Sequence, residues 1–345
     1  MRLVEEDAGS EDEHGGNLAA ARRRFPDAVQ PWIDLSTGIS PFPYPHSPVP
    51  ATAFERLPEP EDEVRLREIA ARAYSAPSAD NIVAAPGTQI LLPMVFALRA
   101  PGRAVVVGPT YAEHMRVAAL SGHECGEASG PAELKSADLA VVVNPNNPDG
   151  RVFARGDLLA VAEELAPRGG LLVVDEAFMD VGPEGGSLAS DVEKLPIVVL
   201  RSFGKFHGLA GIRLGFAVAS AEIAARLRDR LGPWAVSGPA MTIGMEALAD
   251  ADWRPTQRAE LDGKAQRLRA LLEEVGLEIV GGTSLFQLAT HEDAARLHST
   301  LAEQGILTRR FGWNHEFLRF GLPGDEASWG RLANALQVWS QKMEG

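Results

Sequence analysis

Short, fully apolar runs recur along the first two thirds of the chain, with helical polar–apolar periods between them. Ile82-Val83-Ala84-Ala85, Ala104-Val105-Val106-Val107, residues 139–143, residues 171–174, Ile197-Val198-Val199-Leu200 and residues 215–219 each read as a buried strand. Segments 61–74, 88–99, 112–121 and 157–165 carry helical spacing, with Pro93 expected to kink or delimit the second of them. Strands that are apolar at every position must be covered on both faces. The pattern therefore predicts an α/β fold: a mainly parallel sheet with helices on both sides, whose ligands sit at the carboxyl ends of the strands.

The pattern changes after about Ala249. Residues 254–275 form one long amphipathic period, residues 285–289, 305–308 and 317–320 read as strands, and residues 326–341 as a closing helix, a smaller α+β domain. At the other end, residues 18–24 suit a short helix, and Pro41, Pro43, Pro45, Pro48 and Pro50 predict an extended connector. The expected organisation is an N-terminal arm over residues 1–50 that contributes to the small domain and the active site, a large domain over 51–249 and a small C-terminal domain over 250–345.

Composition narrows the class. The 345 residues carry a formal net charge of −14, which argues against a nucleic-acid surface and suits a soluble cytoplasmic enzyme. Cys125 is the one cysteine, so no intramolecular disulfide can form. Residues 1–13 are acidic without an apolar core and are not expected to act as a signal peptide. The longest uncharged run, 231–245, is interrupted by Gly232, Pro233, Gly238 and Pro239 and makes a poor membrane span. No membrane partner and no metal are expected.

The chemistry concentrates in residues 201–215, where Lys205 lies in a Gly-rich loop between two strands, with Ser202 before it and Arg213 after it. A lysine that forms a Schiff base with pyridoxal 5'-phosphate (PLP) needs phosphate ligands nearby, because the aldehyde and the phosphate arm sit on adjacent ring carbons. Ser202 can donate to the phosphate and Arg213 can pair with it through two parallel bonds. Gly87, Thr88 and Gln89, at a strand-to-helix junction with Thr88 as expected N-cap, offer backbone N–H groups to an anion. Asn147, in Asn144-Pro145-Asn146-Asn147-Pro148-Asp149-Gly150, can present its amide to the ring oxygen. Asp175, at a strand end, can keep the pyridinium nitrogen protonated, and Tyr111 can stack on the ring. An ordinary cap, turn or core aromatic explains each signal alone; their joint order on successive strand ends is not explained that way.

With these residues in place, the chain resembles the fold-type I PLP enzymes, specifically the class I/II aminotransferase superfamily. Within it the chain is similar to the L-threonine-O-3-phosphate decarboxylases of cobalamin biosynthesis and the related histidinol-phosphate aminotransferases. The resemblance runs from about His14 to the C-terminus. Its finer level rests on His14-Gly15-Gly16-Asn17, on residues 32–41, on Pro109-Thr110-Tyr111-Ala112-Glu113-His114 and on Leu318-Arg319-Phe320-Gly321-Leu322-Pro323. It implies a homodimer with the active site near the subunit interface. It also implies Lys205 as the Schiff-base lysine, Asp175 on the ring nitrogen, Asn147 on the ring oxygen, and Ser202, Arg213 and Gly87–Gln89 on the phosphate. Arg319 matches the substrate-anion arginine, Arg309 a second one, and His14 with its glycines a substrate-phosphate contact. Gly38, in the 32–41 motif, joins the expected substrate site. The chain departs from the family pattern at Phe178, where a tyrosine is common, at Gly204, where Ser or Thr often precedes the lysine, and at Leu57 and Ser40, where tyrosine and asparagine are common.

PLP labilises whichever Cα bond stands perpendicular to its ring, so the apoprotein selects the reaction by its grip on the substrate's other groups. If Arg309 and Arg319 hold a phosphate rather than the carboxylate, the carboxylate is free to leave as CO2. The expected reaction is decarboxylation of a small phosphorylated amino acid, L-threonine O-3-phosphate, to (R)-1-aminopropan-2-ol phosphate. A histidinol-phosphate-type aminotransferase is the alternative. A catalytically silent binding module and a dinucleotide-dependent oxidoreductase rank below both, since the lysine constellation is intact and no strand is followed by Gly-x-Gly-x-x-Gly.

Overall fold

The computed structural model describes residues 15–344, and the chain divides into two units, Pro43–Pro255 and Met1–Phe42 together with Thr256–Gly345. In the first, strands β1 (Ile82–Ala85), β2 (Arg103–Val107), β3 (Glu124–Ala128), β4 (Leu139–Val143), β5 (Leu171–Asp175), β6 (Ile197–Ser202) and β7 (Gly215–Val218) form one seven-stranded sheet. Their order across it is β1-β7-β6-β5-β4-β2-β3. Strands β2 to β6 are mutually parallel along that order, and β7 alone runs antiparallel to both its neighbours.

Every residue of β4 and β5 is buried, as two-sided coverage demands. Successive side chains divide between two cores. Val105, Val107, Val142, Leu172 and Val174 face one, closed by Leu66, Ile69, Leu158, Val161 and Met241 from helices Pro60–Tyr74, Arg155–Leu165 and Gly238–Ala249. Val106, Val141, Val173 and Val198 face the other, closed by Leu92, Val95, Val117 and Leu227 from helices Leu91–Phe96, Glu113–Leu120 and Ala221–Leu231.

The second unit holds a four-stranded antiparallel sheet in the order Arg309–Phe311, Asn314–Gly321, Phe286–Thr290, Glu278–Thr283. A short parallel pair, Ile33–Asp34 against Ile306–Leu307, ties the N-terminal segment to the C-terminal one. Helix Leu18–Arg24 begins where Asn17 Oδ1 accepts the N–H of Ala20 at 3.0 Å. Residues 256–274 of helix Trp253–Glu274 and the helices Ala294–Glu303 and Glu326–Glu344 complete the α+β unit. Among the described residues, no helix is long and apolar enough to cross a membrane.

Two local expectations are corrected. Segment 88–99 is a 3₁₀ turn, Thr88–Ile90, followed by helix Leu91–Phe96, and Pro93 sits in the first turn of that helix, where a missing N–H costs nothing. Gly87, not Thr88, occupies the cap position. Lys205 lies not in an open loop but in a four-residue helical turn, Phe203–Phe206, packed under the 3₁₀ turn Ala210–Ile212.

Candidate active site

The carboxyl ends of β2, β4, β5 and β6 point to one edge of the sheet. Because β7 is reversed, its amino end reaches the same edge, where Gly215 pairs with both Ala85 of β1 and Ser202 of β6. Gly87, Thr88 and Gln89 after β1, Tyr111 after β2, Asn147 after β4, Asp175 ending β5, Ser202 and Lys205 after β6 and Arg213 before β7 therefore sit along one row.

The anion end of this row is built by close backbone approach. Gly87 has φ of +84°, and a Cβ there would lie 2.7 Å from Arg213 Nη2. A Cβ on Gly215 would lie 2.6 Å from the Thr88 N atom. Glycine at both positions brings the guanidinium and the 88–90 turn together. Arg213 is itself left-handed, with φ of 55°, and donates from Nη1 to Ala210 O at 3.3 Å.

Asp175, 7% exposed, accepts from the Ala177 N–H at 3.0 Å on Oδ1 and meets His114 Nε2 at 2.9 Å on Oδ2. His114 is buried, among the described residues its Nδ1 has no hydrogen-bond partner, and its Nε2 is the ring nitrogen that meets Asp175. The sequence reading gave His114 no role; it stands three residues after Tyr111, and Tyr111 packs edge-on against it at 5.7 Å. Burial, then Glu113 and Asp175, push the Tyr111 phenol up to about 12. Asn146 Oδ1 accepts from Thr110 Oγ1 at 2.7 Å, and its amide donates to Pro109 O at 3.0 Å. This locks the turn that carries Asn147, which is half-buried, to the loop that carries Tyr111.

Lys205 Nζ lies over the Phe178 ring, 5.2 Å from its centroid. Phe178 stands where the resemblance would place a tyrosine, so no phenol hydroxyl is offered there. Gly204 is required: a Cβ there would lie 2.6 Å from the Ala210 Cα. Below the turn, Arg201 donates to Glu176 at 3.1 Å and Asp180 at 2.7 Å, and Arg254 reaches Asp180 at 3.1 Å. Burial opposes the Asp180 charge, but Arg201, His207 and Arg254 together hold its carboxyl below the ordinary value. His207 stacks on Phe203 at 4.1 Å and on Trp253 at 5.5 Å, and burial brings its pKa down to about 4.

Arg309, Arg319 and Gly38 belong to the other unit, and His14 lies outside the described residues. Arg309 and Arg319 are direct cross-strand partners. Arg319, 6% exposed, donates to Ser36 O at 2.9 Å and stacks over Phe286 at 4.9 Å. Burial first and then Arg309 bring its pKa down to about 9, with Asp34 opposing. Gly38 is buried in the segment that follows Ser36.

Residues 53–336 match the family described as aminotransferase class I and II. The threonine-phosphate decarboxylase of Pseudomonas aeruginosa is 44% identical over 327 residues, 94% of this chain and 97% of that protein. Histidinol-phosphate aminotransferase 3 of Mesorhizobium japonicum is 30% identical, over 81% of this chain and 80% of that one. Among solved structures, the L-threonine-O-3-phosphate decarboxylase of Porphyromonas gingivalis superposes with a TM-score of 0.74 at 21% identity, covering 89% of this chain and 100% of that one. The histidinol-phosphate aminotransferase of Sinorhizobium meliloti, in complex with pyridoxal-5'-phosphate, gives 0.77 at 21% identity, with 94% of both chains covered.

Proposed function

The chain belongs to the aminotransferase class I and II family, and from that membership we propose that it is a PLP-dependent lyase that decarboxylates L-threonine O-3-phosphate to (R)-1-aminopropan-2-ol phosphate and CO2 in cobalamin biosynthesis. The observation that carries this reading is the likeness to a threonine-phosphate decarboxylase along nearly the whole of both chains.

The residues present fit the cofactor. Gly87, Thr88 and Arg213 approach one another closely, and backbone N–H groups together with a guanidinium are the donor set a phosphate monoester takes. Asp175, with His114 behind it, suits a protonated pyridine nitrogen. In this reading Ser202, Arg213 and Gly87–Gln89 hold the phosphate, Asn147 the ring oxygen, Tyr111 the ring face and Lys205 the aldehyde carbon.

When bound, PLP supplies an electron sink for a bond breaking at the substrate Cα. The chain's own residues decide which bond that is. Asp175 holds the proton on the ring nitrogen, and the contact from His114 Nε2 fixes the carboxylate that does so. Arg309 and Arg319, with His14 and Gly38, grip the substrate phosphate and so orient the carboxylate for departure. The Lys205 Nζ then delivers a proton to Cα in place of the lost CO2. The protein acts as a cytoplasmic homodimer in this reading. Phe54, Leu57 and Trp234, which expose 69%, 63% and 55% of their surface in the single chain, are candidates for its interface.

The test is to supply PLP and carboxyl-labelled L-threonine O-3-phosphate and to follow labelled CO2 with and without 2-oxoglutarate. Release that does not depend on the oxo acid is expected. Glutamate-supported transamination without CO2 would instead assign the chain to the histidinol-phosphate-type aminotransferases.

A further inference from the structure

Glu113 is an acidic residue only 4% exposed at the start of helix Glu113–Leu120, and no step described above uses it. A carboxylate at a helix start is favoured by the helix dipole, but that benefit does not require burial. Burial costs a carboxylate its hydration, and here the loss is offset by three donors. Gln89 Nε2 donates at 2.6 Å, Arg116 Nε at 2.8 Å and Arg116 Nη2 at 2.5 Å. The other end of the same Gln89 amide, Oε1, accepts the Tyr111 phenol proton at 3.2 Å.

We propose that Glu113 is a positioning residue for the cofactor site, fixing the Tyr111 ring and the 88–90 turn through Gln89; this rests on the PLP reading above. The argument is one of hydrogen-bond polarity. An ionised carboxylate only accepts, so the Gln89 amide must turn its NH2 group toward Glu113. Its carbonyl is then left for Tyr111, whose hydroxyl must be the donor. Gln89 belongs to the turn that follows Gly87 and faces Arg213. One carboxylate thereby sets both the turn that receives the phosphate and the ring that lies against the pyridine. Arg116, with its side chain 52% exposed, balances the charge from the solvent side.

The chain has three tyrosines, so 13C label at the ring Cζ gives three resonances, from Tyr44, Tyr74 and Tyr111, and Tyr111→Phe identifies the third. In Glu113→Gln the neutral amide can face Gln89 either way, and the Gln89 orientation is released. The Tyr111 resonance should move while those of Tyr44 and Tyr74 stay, both with and without PLP. The PLP dissociation constant should rise about tenfold, the effect of one charge-assisted hydrogen bond. Gln89→Ala should move the same resonance and weaken PLP to a similar extent. The double variant should be no worse than either single one, since both cut the same chain. Tyr111 unmoved in Glu113→Gln, or strictly additive effects on PLP binding, would overturn the proposal. If the unaltered protein fails to bind PLP, the functional reading falls, but the tyrosine resonance still decides whether Glu113 positions Tyr111.

Discussion

Two places where charge concentrates among the described residues are built on different plans. At the edge of the seven-stranded sheet, hydrogen-bond and ion-pair partners are supplied from within: Asp175 has His114 and the Ala177 N–H, and Glu176 and Asp180 have Arg201. On the antiparallel sheet of the other unit, Arg309 and Arg319 face each other across paired strands, and Arg309 acts on Arg319 more strongly than Asp34 does. Like charges opposed across strands destabilise a sheet, and at Arg319 the charge of Asp34 works against that effect. On the proposed function, the contrast separates a region organised in advance for a group that stays from one that would receive an anion that comes and goes.

The largest effect that probes this contrast is expected from Lys205→Ala. Turnover should fall on the order of 10³-fold or more, and the imine absorbance should vanish, while anion affinity at the arginine pair should be spared. A variant that retains normal steady-state activity would remove Lys205 from the chemistry. Asp175→Asn should keep PLP but lower kcat about 10²–10³-fold, because an amide cannot hold the ring nitrogen protonated. An unchanged kcat would reduce Asp175 to a partner of His114.

For the arginine pair, Arg309→Lys and Arg319→Lys keep the charge and lose the planar fork. Each should cost about 2–4 kcal/mol in transition-state binding of L-threonine O-3-phosphate, read from kcat/KM, and much less with L-threonine. Equal losses on the two substrates would mean that the pair does not read the phosphate. The smallest effect tests the self-contained region by pH. His207 is buried and neutral with its pKa lowered to about 4, so between pH 6.5 and 4 the unfolded chain binds more protons than the folded one. Stability should be fully present above pH 6.5 and decline toward pH 4, by up to about 3 kcal/mol. His207→Phe, which keeps the stack on Phe203, should flatten that slope in urea titrations; an unaltered slope would assign acid sensitivity elsewhere.

Much of the sheet could be read from the chain because parallel strands buried on both faces must be apolar at every position. The strand Glu124–Ala128 escaped that rule: it is an edge strand, with Glu124 and Glu127 exposed, and polar edges are how sheets avoid further pairing. Helices Ala221–Leu231 and Gly238–Ala249 were hidden by their own punctuation. Gly232, with φ of 72°, ends the first, and Ser237 and Pro239 start the second, so residues that looked like interruptions are caps. The expected cofactor-site residues were found at strand ends, which the apolar pattern marks. His114 and Glu113 were not legible that way, because their partners Asp175 and Gln89 lie 61 and 24 residues away and meet them only in the fold.

The contact between Gly204 and Ala210 bears on how this protein can be rebuilt. With 2.6 Å between a would-be Cβ and the Ala210 Cα, a serine or threonine from a relative cannot simply be transplanted before the lysine. Exchange of parts with sister enzymes would have to move residues 204–210 as one cassette. Directed evolution of this segment should therefore yield coupled changes at its two ends, and libraries that vary position 204 alone should return glycine.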